Sequence, residues 1–438
     1  MKAITLLIVV PAILSAQQPT DAGFRPISLQ EAVTLAQSNS PTAVAARGTI
    51  QNAAGTVSTT YNQFFPTLTG SLGHTQGAGQ RLDPTTGRLV SAVSQPQYST
   101  SLSTSLTIFD GGKRVNDLRA RRADLASAEV SEVATKFSVA LQVKQQYFAI
   151  LAARESESAA RLALDLANQQ MAAATARVRA GAAIISDSLR SFVAVGSAQL
   201  AVLTAQNNVR NASLALTRLV ESSVPVTAAA SDTATFMTSP IDSAAIVTLA
   251  LDGPTVREAQ AALASSNAGV SSARASYYPT LSANLTYGGS GYDMYYGLGS
   301  QPLAYSNRLS ISASYNIWDG RNRAVALSRA HVAVASSDAA LRDAKLLAQQ
   351  NIQLQISTLR NAEDRIRIQQ LSVQAAQEDL RVQQQRYNLG SSTLLEVTTS
   401  ENALDSARQA LIQARLDYRT ARAQIEAIIG RDIQSLAP

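Results

Sequence analysis

The chain has 438 residues, 46% of them hydrophobic and 16% charged, with a formal net charge of +6. It contains no cysteine and two histidines, which removes disulfides, zinc–thiolate sites, a cysteine nucleophile and a lipid-modified cysteine, and leaves little for metal chemistry. The pI near 9.6 does not point to nucleic acid, because the basic residues are scattered among acids along helical stretches with no aromatic–basic cluster.

Residues 1–16 carry Lys2, an apolar run from Ala3 to Leu14, and Ser15-Ala16. This is the pattern of a secretory signal peptide; the run is short for a spanning helix and contains Pro11. No later run approaches the ~20 apolar residues of a transmembrane helix, so a crossing of the bilayer has to be made by strands.

The remainder reads as one unit written twice, over 17–220 and 244–430. Ile108-Phe109-Asp110-Gly111 returns as Ile317-Trp318-Asp319-Gly320, and Arg177 and Gly181 return as Arg386 and Gly390, all at an offset of 209 residues. Each unit opens with an Ala-rich helical stretch, Leu29 to Asn62 and Ala244 to Tyr277, broken at Pro41 and Pro254 and stopped by Pro66 and Pro279. The period then changes to two. Thr67–His74, Tyr98–Phe109, Leu281–Tyr287 and Leu309–Trp318 alternate apolar residues with Ser, Thr and Asn, as strands with one apolar and one polar face do. About ten such residues suit a strand crossing an outer membrane, with lipid on one side and water on the other. Gln76–Gln97 and Gly288–Asn307 read as exposed loops, the second with Tyr292, Tyr295, Tyr296 and Tyr305 in place for an interfacial aromatic belt.

Asp110-Gly111-Gly112 and Asp319-Gly320-Arg321 follow the second strand of each pair. The Asp is expected to cap the free N–H groups of the next helix while the glycine permits the turn; the spacing is wrong for a phosphate loop. Lys113 to about Ala180 and Asn322 to about Leu389 contain no proline, and at 1.5 Å per residue predict helices of roughly 95–100 Å. Gly181 and Gly390 end them, and return helices follow near Ser188–Leu219 and Thr398–Ile429. Residues 221–243 read as an irregular connector and 431–438 as a C-terminal tail.

Four strands cannot close a barrel, and an open edge is not tolerated in lipid. Several chains must therefore share one barrel, and three would supply twelve strands. Neither His74 nor His331 sits near a triad or a metal-ligand cluster in sequence, so no catalytic residue, metal or cofactor is assigned. A structural envelope coiled coil without channel activity would account for the long helices but not for the alternating strands. A periplasmic adaptor would need a compact β-domain and would lack the duplication.

The order signal peptide, helix, strand pair, long helix, return helix, and then all again, resembles the TolC-like outer-membrane efflux protein family. The turn at 108–113 and the stretch Arg386-Tyr387-Asn388-Leu389-Gly390 are similar to its signature positions. The resemblance implies an α+β membrane protein: a homotrimer with a twelve-stranded β-barrel, four strands per chain, in the outer membrane of a Gram-negative-type bacterium, continued by a periplasmic α-helical barrel. It implies an exit duct for a tripartite efflux pump or type I secretion system, without catalysis, served by a periplasmic adaptor protein and an inner-membrane pump of RND, ABC or MFS type. Carried over residue by residue, Tyr387 and Asp187 match a hydrogen-bonded pair of the periplasmic gate, and Glu396 matches the first position of an acidic ring. Ser392 and Thr399 depart from the family pattern, standing where a linking Arg and a second acid would be. Gly181, Ala182, Gly390 and Ser391 match the tips that meet the adaptor.

Overall fold

A computed structural model describes residues 23–93, 95–229, 243–299 and 302–431. The signal-peptide segment, residues 230–242 of the connector and residues 432–438 of the tail lie outside the described residues. The first half runs β1 (Arg25–Ile27), α1 (Leu29–Asn39), α2 (Pro41–Asn62), β2 (Thr67–Thr75), β3 (Ala78–Leu82), β4 (Leu89–Val93), β5 (Gln97–Phe109), α3 (Lys113–Arg179), α4 (Ile185–Val220) and β6 (Val226–Ala228). The second runs α5 (Ser243–Ala250), α6 (Pro254–Ala275), β7 (Thr280–Gly291), β8 (Ala304–Ser314), α7 (Asn322–Asn388) and α8 (Leu394–Ile429).

The matching elements have matching lengths. α2 and α6 have 22 residues each, α3 and α7 67, and α4 and α8 36. Sixty-seven residues span roughly 100 Å of helix. Pro41 and Pro254 sit in the first turns of α2 and α6, where a missing N–H costs nothing. α3 and α4 form one antiparallel hairpin, α7 and α8 another, and α2, α6 and α8 also lie along α3. By length and composition α4 would suffice to cross a bilayer, which the apolar runs of the sequence did not indicate; it pairs with α3 as a hairpin, and Phe192, Val193, Leu200 and Leu203 on it stay exposed in the single chain.

The four long strands form one antiparallel sheet in the order β2-β5-β7-β8. The two expected hairpins are there, and β5 of the first half pairs with β7 of the second. As far as Thr107 the register keeps the faces in phase, until a bulge at Ile108 sets Phe109 opposite Leu281: Thr69, Ser103, Thr286 and Arg308 form one polar row, while Leu285 lies opposite Leu309 and Ala283 opposite Ile311 on the other face. Ser71–Ser101 and Ser282–Ser312 hydroxyl pairs cross the polar face at 2.6 and 3.0 Å. The apolar face stays bare, with Leu68, Leu72 and Leu309 each about 70% exposed. β2 and β8 are unpaired edges within the chain.

Four expectations change, the first at Gly288–Asn307, which is not loop throughout: residues 288–291 belong to β7 and 304–307, with Tyr305, to β8. The stretch Gln76–Gln97 is not a plain loop: β3 and β4 make a hairpin closed by Asp83, which accepts from the Thr85 amide at 2.9 Å and the Thr86 hydroxyl at 2.7 Å. The connector is not irregular throughout. β6 lies inside it, fully buried and paired in parallel with β1, and the Tyr147 hydroxyl donates to Ile27 O and accepts from the Ala229 amide, both at 3.1 Å. Three residues are too few to display a period. Finally β8 ends at Ser314, and Tyr315–Trp318 is not strand. Ser314 pairs with Thr280, and the partner strand runs out there at Pro279, which has no N–H to give.

No single core holds the chain. One cluster joins α1, α3, α4, β1 and β6 around Tyr147 and Leu216; a second joins α5, α7 and α8 around Ile352 and Ile425. The Lys144–Glu426 ion pair (2.5 Å) crosses from α3 to α8 and couples the halves. A third cluster lies at the far end of the hairpins.

Candidate functional site

That far end is built by two similar turns. Beyond α3, the Ala182 amide bonds Arg177 O at 2.9 Å and the Gly181 amide bonds Val178 O at 3.0 Å. Beyond α7, the Ser391 amide bonds Arg386 O at 2.9 Å and the Gly390 amide bonds Tyr387 O at 3.0 Å. Both glycines take the left-handed conformation, with φ of 72° and 77°. Gly181, Ala182, Gly390 and Ser391 are exposed, and Ile184, Ile185, Leu389 and Leu395 beside them leave apolar surface open.

Tyr387 is 9% exposed and sits in the third cluster with Leu380, Leu394, Val397 and Leu404. Its hydroxyl is fully buried and has no hydrogen-bond partner. The expected Tyr387–Asp187 hydrogen bond is therefore not formed. Asp187 lies in the first turn of α4, half-buried, near enough for its charge to act on Tyr387 but not bonded to it. What holds Tyr387 is Arg177. Its guanidinium lies 4.4 Å from the ring centroid and its Nη1 donates to Tyr387 O, so the group occupies one face of the ring and the backbone at once. Burial pushes the Tyr387 hydroxyl above its usual pKa, with Arg177 opposing and Asp187 adding to the shift.

Glu396 is exposed, and its Oε2 accepts from the Thr393 amide at 3.0 Å and from the Ser392 hydroxyl. Thr393 in turn accepts from the Glu396 amide, which completes a capping box at the start of α8. The box explains why α8 begins at Leu394, earlier than the apolar pattern indicated. The Ser392 hydroxyl and the Thr393 amide hold the Glu396 carboxyl below its usual range. Ser392 thus occupies the departed Arg position as a hydrogen-bond donor, while the Thr399 hydroxyl donates to Leu395 O of its own helix at 2.8 Å.

Further along α8, Glu401 accepts from Gln170 Nε2 of α3, and burial pushes its carboxyl up to about 7. Neither Glu401 nor Arg177 was foreseen as part of this site. The return of Arg177 as Arg386 was the one signal available; Glu401 carried none.

At the opposite end of α3 and α7, Asp110 accepts from the Gly112 and Arg114 amides at 3.1 Å and from Arg114 Nε at 2.8 Å. Asp319 accepts from the Arg323 amide and Nε, both at 2.9 Å. The N-cap residues themselves, Gly112 and Arg321, are left-handed and make no side-chain cap, so each Asp supplies the cap from two residues upstream. Gly111 and Gly320 complete these turns. Arg114 lies over Phe64 and Arg323 over Tyr277 and Tyr315, which pins each long helix to the aromatic end of the helix before the sheet. His74 lies against Tyr98 at the sheet, the two rings tilted by 35°, and His331 is exposed on α7, so the fold does not bring them together. Among the described residues no three His, Asp or Glu side chains gather as a metal site.

Comparison with known proteins agrees across the chain. The profile of the outer membrane efflux protein family matches residues 32–221 and again residues 246–431. Over 347 residues the chain is 25% identical to the pyoverdine export outer membrane protein OpmQ of Pseudomonas aeruginosa, a match that covers 77% of this chain and 71% of that protein. Its fold matches the outer membrane protein VceC of Vibrio cholerae with a TM-score of 0.76 and 17% identity, over 92% of this chain and 96% of that one. It matches the CmeC outer membrane channel of Campylobacter jejuni with a TM-score of 0.77 and 17% identity, over 98% and 94%.

Proposed function

The chain belongs to the outer membrane efflux protein family, and from that premise we propose that it is the outer-membrane exit duct of a tripartite efflux pump or type I secretion system. Three copies share one twelve-stranded barrel, continued into the periplasm by their α-helical hairpins. The observation that carries this reading is the two-faced sheet: four strands in register, an apolar face left bare, a Ser/Thr face opposite, and both edges open. In water such a sheet would expose its leucines and its edges to aggregation; closed by two more copies in lipid, both needs are met. The polar rows then line a water-filled passage, and the duct carries cargo without catalysis, the inner-membrane pump supplying the energy.

The hairpin tips are the periplasmic entrance. Asp187, Tyr387 and Glu396 narrow it, Glu396 with one carboxylate oxygen committed to its capping box. Gly181, Ala182, Gly390 and Ser391, with the exposed apolar residues beside them, receive a periplasmic adaptor. OpmQ is named for pyoverdine export, which makes small exported organic molecules the first cargo class to assay.

Single-channel recording of the purified protein in a planar bilayer tests the reading. A small, infrequent conductance from a heat-modifiable trimer in the outer-membrane fraction is expected. A chain that stays monomeric and soluble without detergent, and never conducts, would overturn it.

A further inference from the structure

We infer that Arg177, rather than the Asp187 carboxylate, is the residue that ties the two hairpins of each chain together at the entrance, by clamping the ring and backbone of Tyr387 and not its hydroxyl. This rests on the channel reading above and assigns the latch of its gate.

Four observations carry it. Arg177 lies in the last turn of α3 in the first half and Tyr387 in the last turn of α7 in the second, so their contact joins the two hairpins across 210 residues of sequence. The guanidinium covers the ring at 4.4 Å and donates to the carbonyl of the same residue, a two-point hold that a lone charge would not give. The Tyr387 hydroxyl, by contrast, has no partner and no exposed surface within a single chain. Lastly, the duplication breaks here. Arg386 is the counterpart of Arg177, but the counterpart of Tyr387 is Val178, which has no ring to cover, and Arg386 stays exposed. The hold is therefore made once per chain.

The hydroxyl's isolation has a direction. A buried polar group without a partner disfavours the state that buries it. Splaying the hairpins would hydrate it, so the hydroxyl works against closure while the ring works for it. A hydrogen-bonded gate would have the opposite sign.

The test is the open fraction of full-length trimers in planar bilayers, for the wild type and for Arg177→Met, Arg177→Lys, Tyr387→Phe, Tyr387→Leu and the double variant Arg177→Met/Tyr387→Leu. Tyr387→Leu, which removes the ring, is expected to raise the open fraction about fivefold for every chain whose clamp is broken, and Arg177→Met, which also gives up the carbonyl bond, at least as much. Arg177→Lys, which keeps the charge but not the planar fork, should fall between Arg177→Met and wild type. Tyr387→Phe should open no more often than wild type. The double variant should match Arg177→Met, which breaks both points of the clamp, with Tyr387→Leu, which leaves the bond to the carbonyl at 387, no higher; two merely structural lesions would compound. An open fraction for Tyr387→Phe as high as that of Arg177→Met would return the latch to the hydroxyl and overturn the inference, as would an unchanged Arg177→Met. Conductance from none of these proteins, wild type included, would overturn the channel reading and the inference with it.

Discussion

Gly320→Ala, set beside Gly111→Ala, tests how copies of this chain meet. Both glycines are left-handed, with φ of 63° and 67°, so alanine costs about 1–2 kcal/mol at either from backbone strain alone. At Gly111 a Cβ would also lie 2.6 Å from Tyr278 Cβ and 2.7 Å from Ala275 O, at the end of α6. That crowding adds about 1–3 kcal/mol. At Gly320 nothing lies within 4 Å. The duplication explains the difference. Gly111 packs on the Tyr-Tyr-Pro end of the second half; the matching Phe64-Phe65-Pro66 end of the first half is what Gly320 would meet on the next copy, and Phe65 is bare in the single chain. If copies join as the halves do, β8 pairs with the next β2 as β5 pairs with β7, and Tyr315–Trp318 gains its missing partner. Ile317 and Trp318, 87% and 80% exposed, are then covered.

Gly320→Ala should therefore leave the chain folded, at a cost of about 1–2 kcal/mol in strain, and weaken the proposed trimer by about 1–3 kcal/mol per interface through crowding. The assay is the temperature at which the trimer band gives way to monomer on semi-native gels. Gly87→Ala, in an open left-handed turn of the β3–β4 hairpin, calibrates strain alone. A dissociation temperature for Gly320→Ala no lower than that for Gly87→Ala would refute the reasoning.

The remaining predictions concern stability. Glu401, raised from 4.5 to about 7 in the fold, contributes stability that is full below pH 4.5 and lost as pH rises through 7. Glu401→Gln should remove that dependence and melt higher than wild type at pH 8, by at most about 2 kcal/mol because water reaches part of the carboxylate; unchanged melting curves from pH 5 to 8 would count against it. Lys144→Met leaves the buried Glu426 carboxylate, among the described residues, with only Arg422, 3.6 Å away, and should destabilise by about 2–3 kcal/mol, most of it recovered in Lys144→Met/Glu426→Leu; thermal melts of all three proteins decide. Thr393→Ala removes the α8 capping box and should cost about 1 kcal/mol in the same assay, whereas Thr399→Ala, which gives up only a bond to its own helix, should cost less.

The elements themselves were legible because the forces that make them are local. Alternation in Tyr98–Phe109, the Asp110 and Asp319 turns, and proline-free runs closed by Gly181 and Gly390 each act within a few residues of sequence. The pattern also carried the need for partners, since four strands with a bare apolar face cannot close alone. Tertiary structure decided what meets across the duplication. That β5 pairs with β7, that β1 finds β6, and that Arg177 rather than Asp187 engages Tyr387 depend on the rotation and axial stagger of helices roughly 100 Å long. Several seams on each helix left those angles open in the sequence, and a rotation of one residue, about 100°, is enough to exchange one partner of Tyr387 for another.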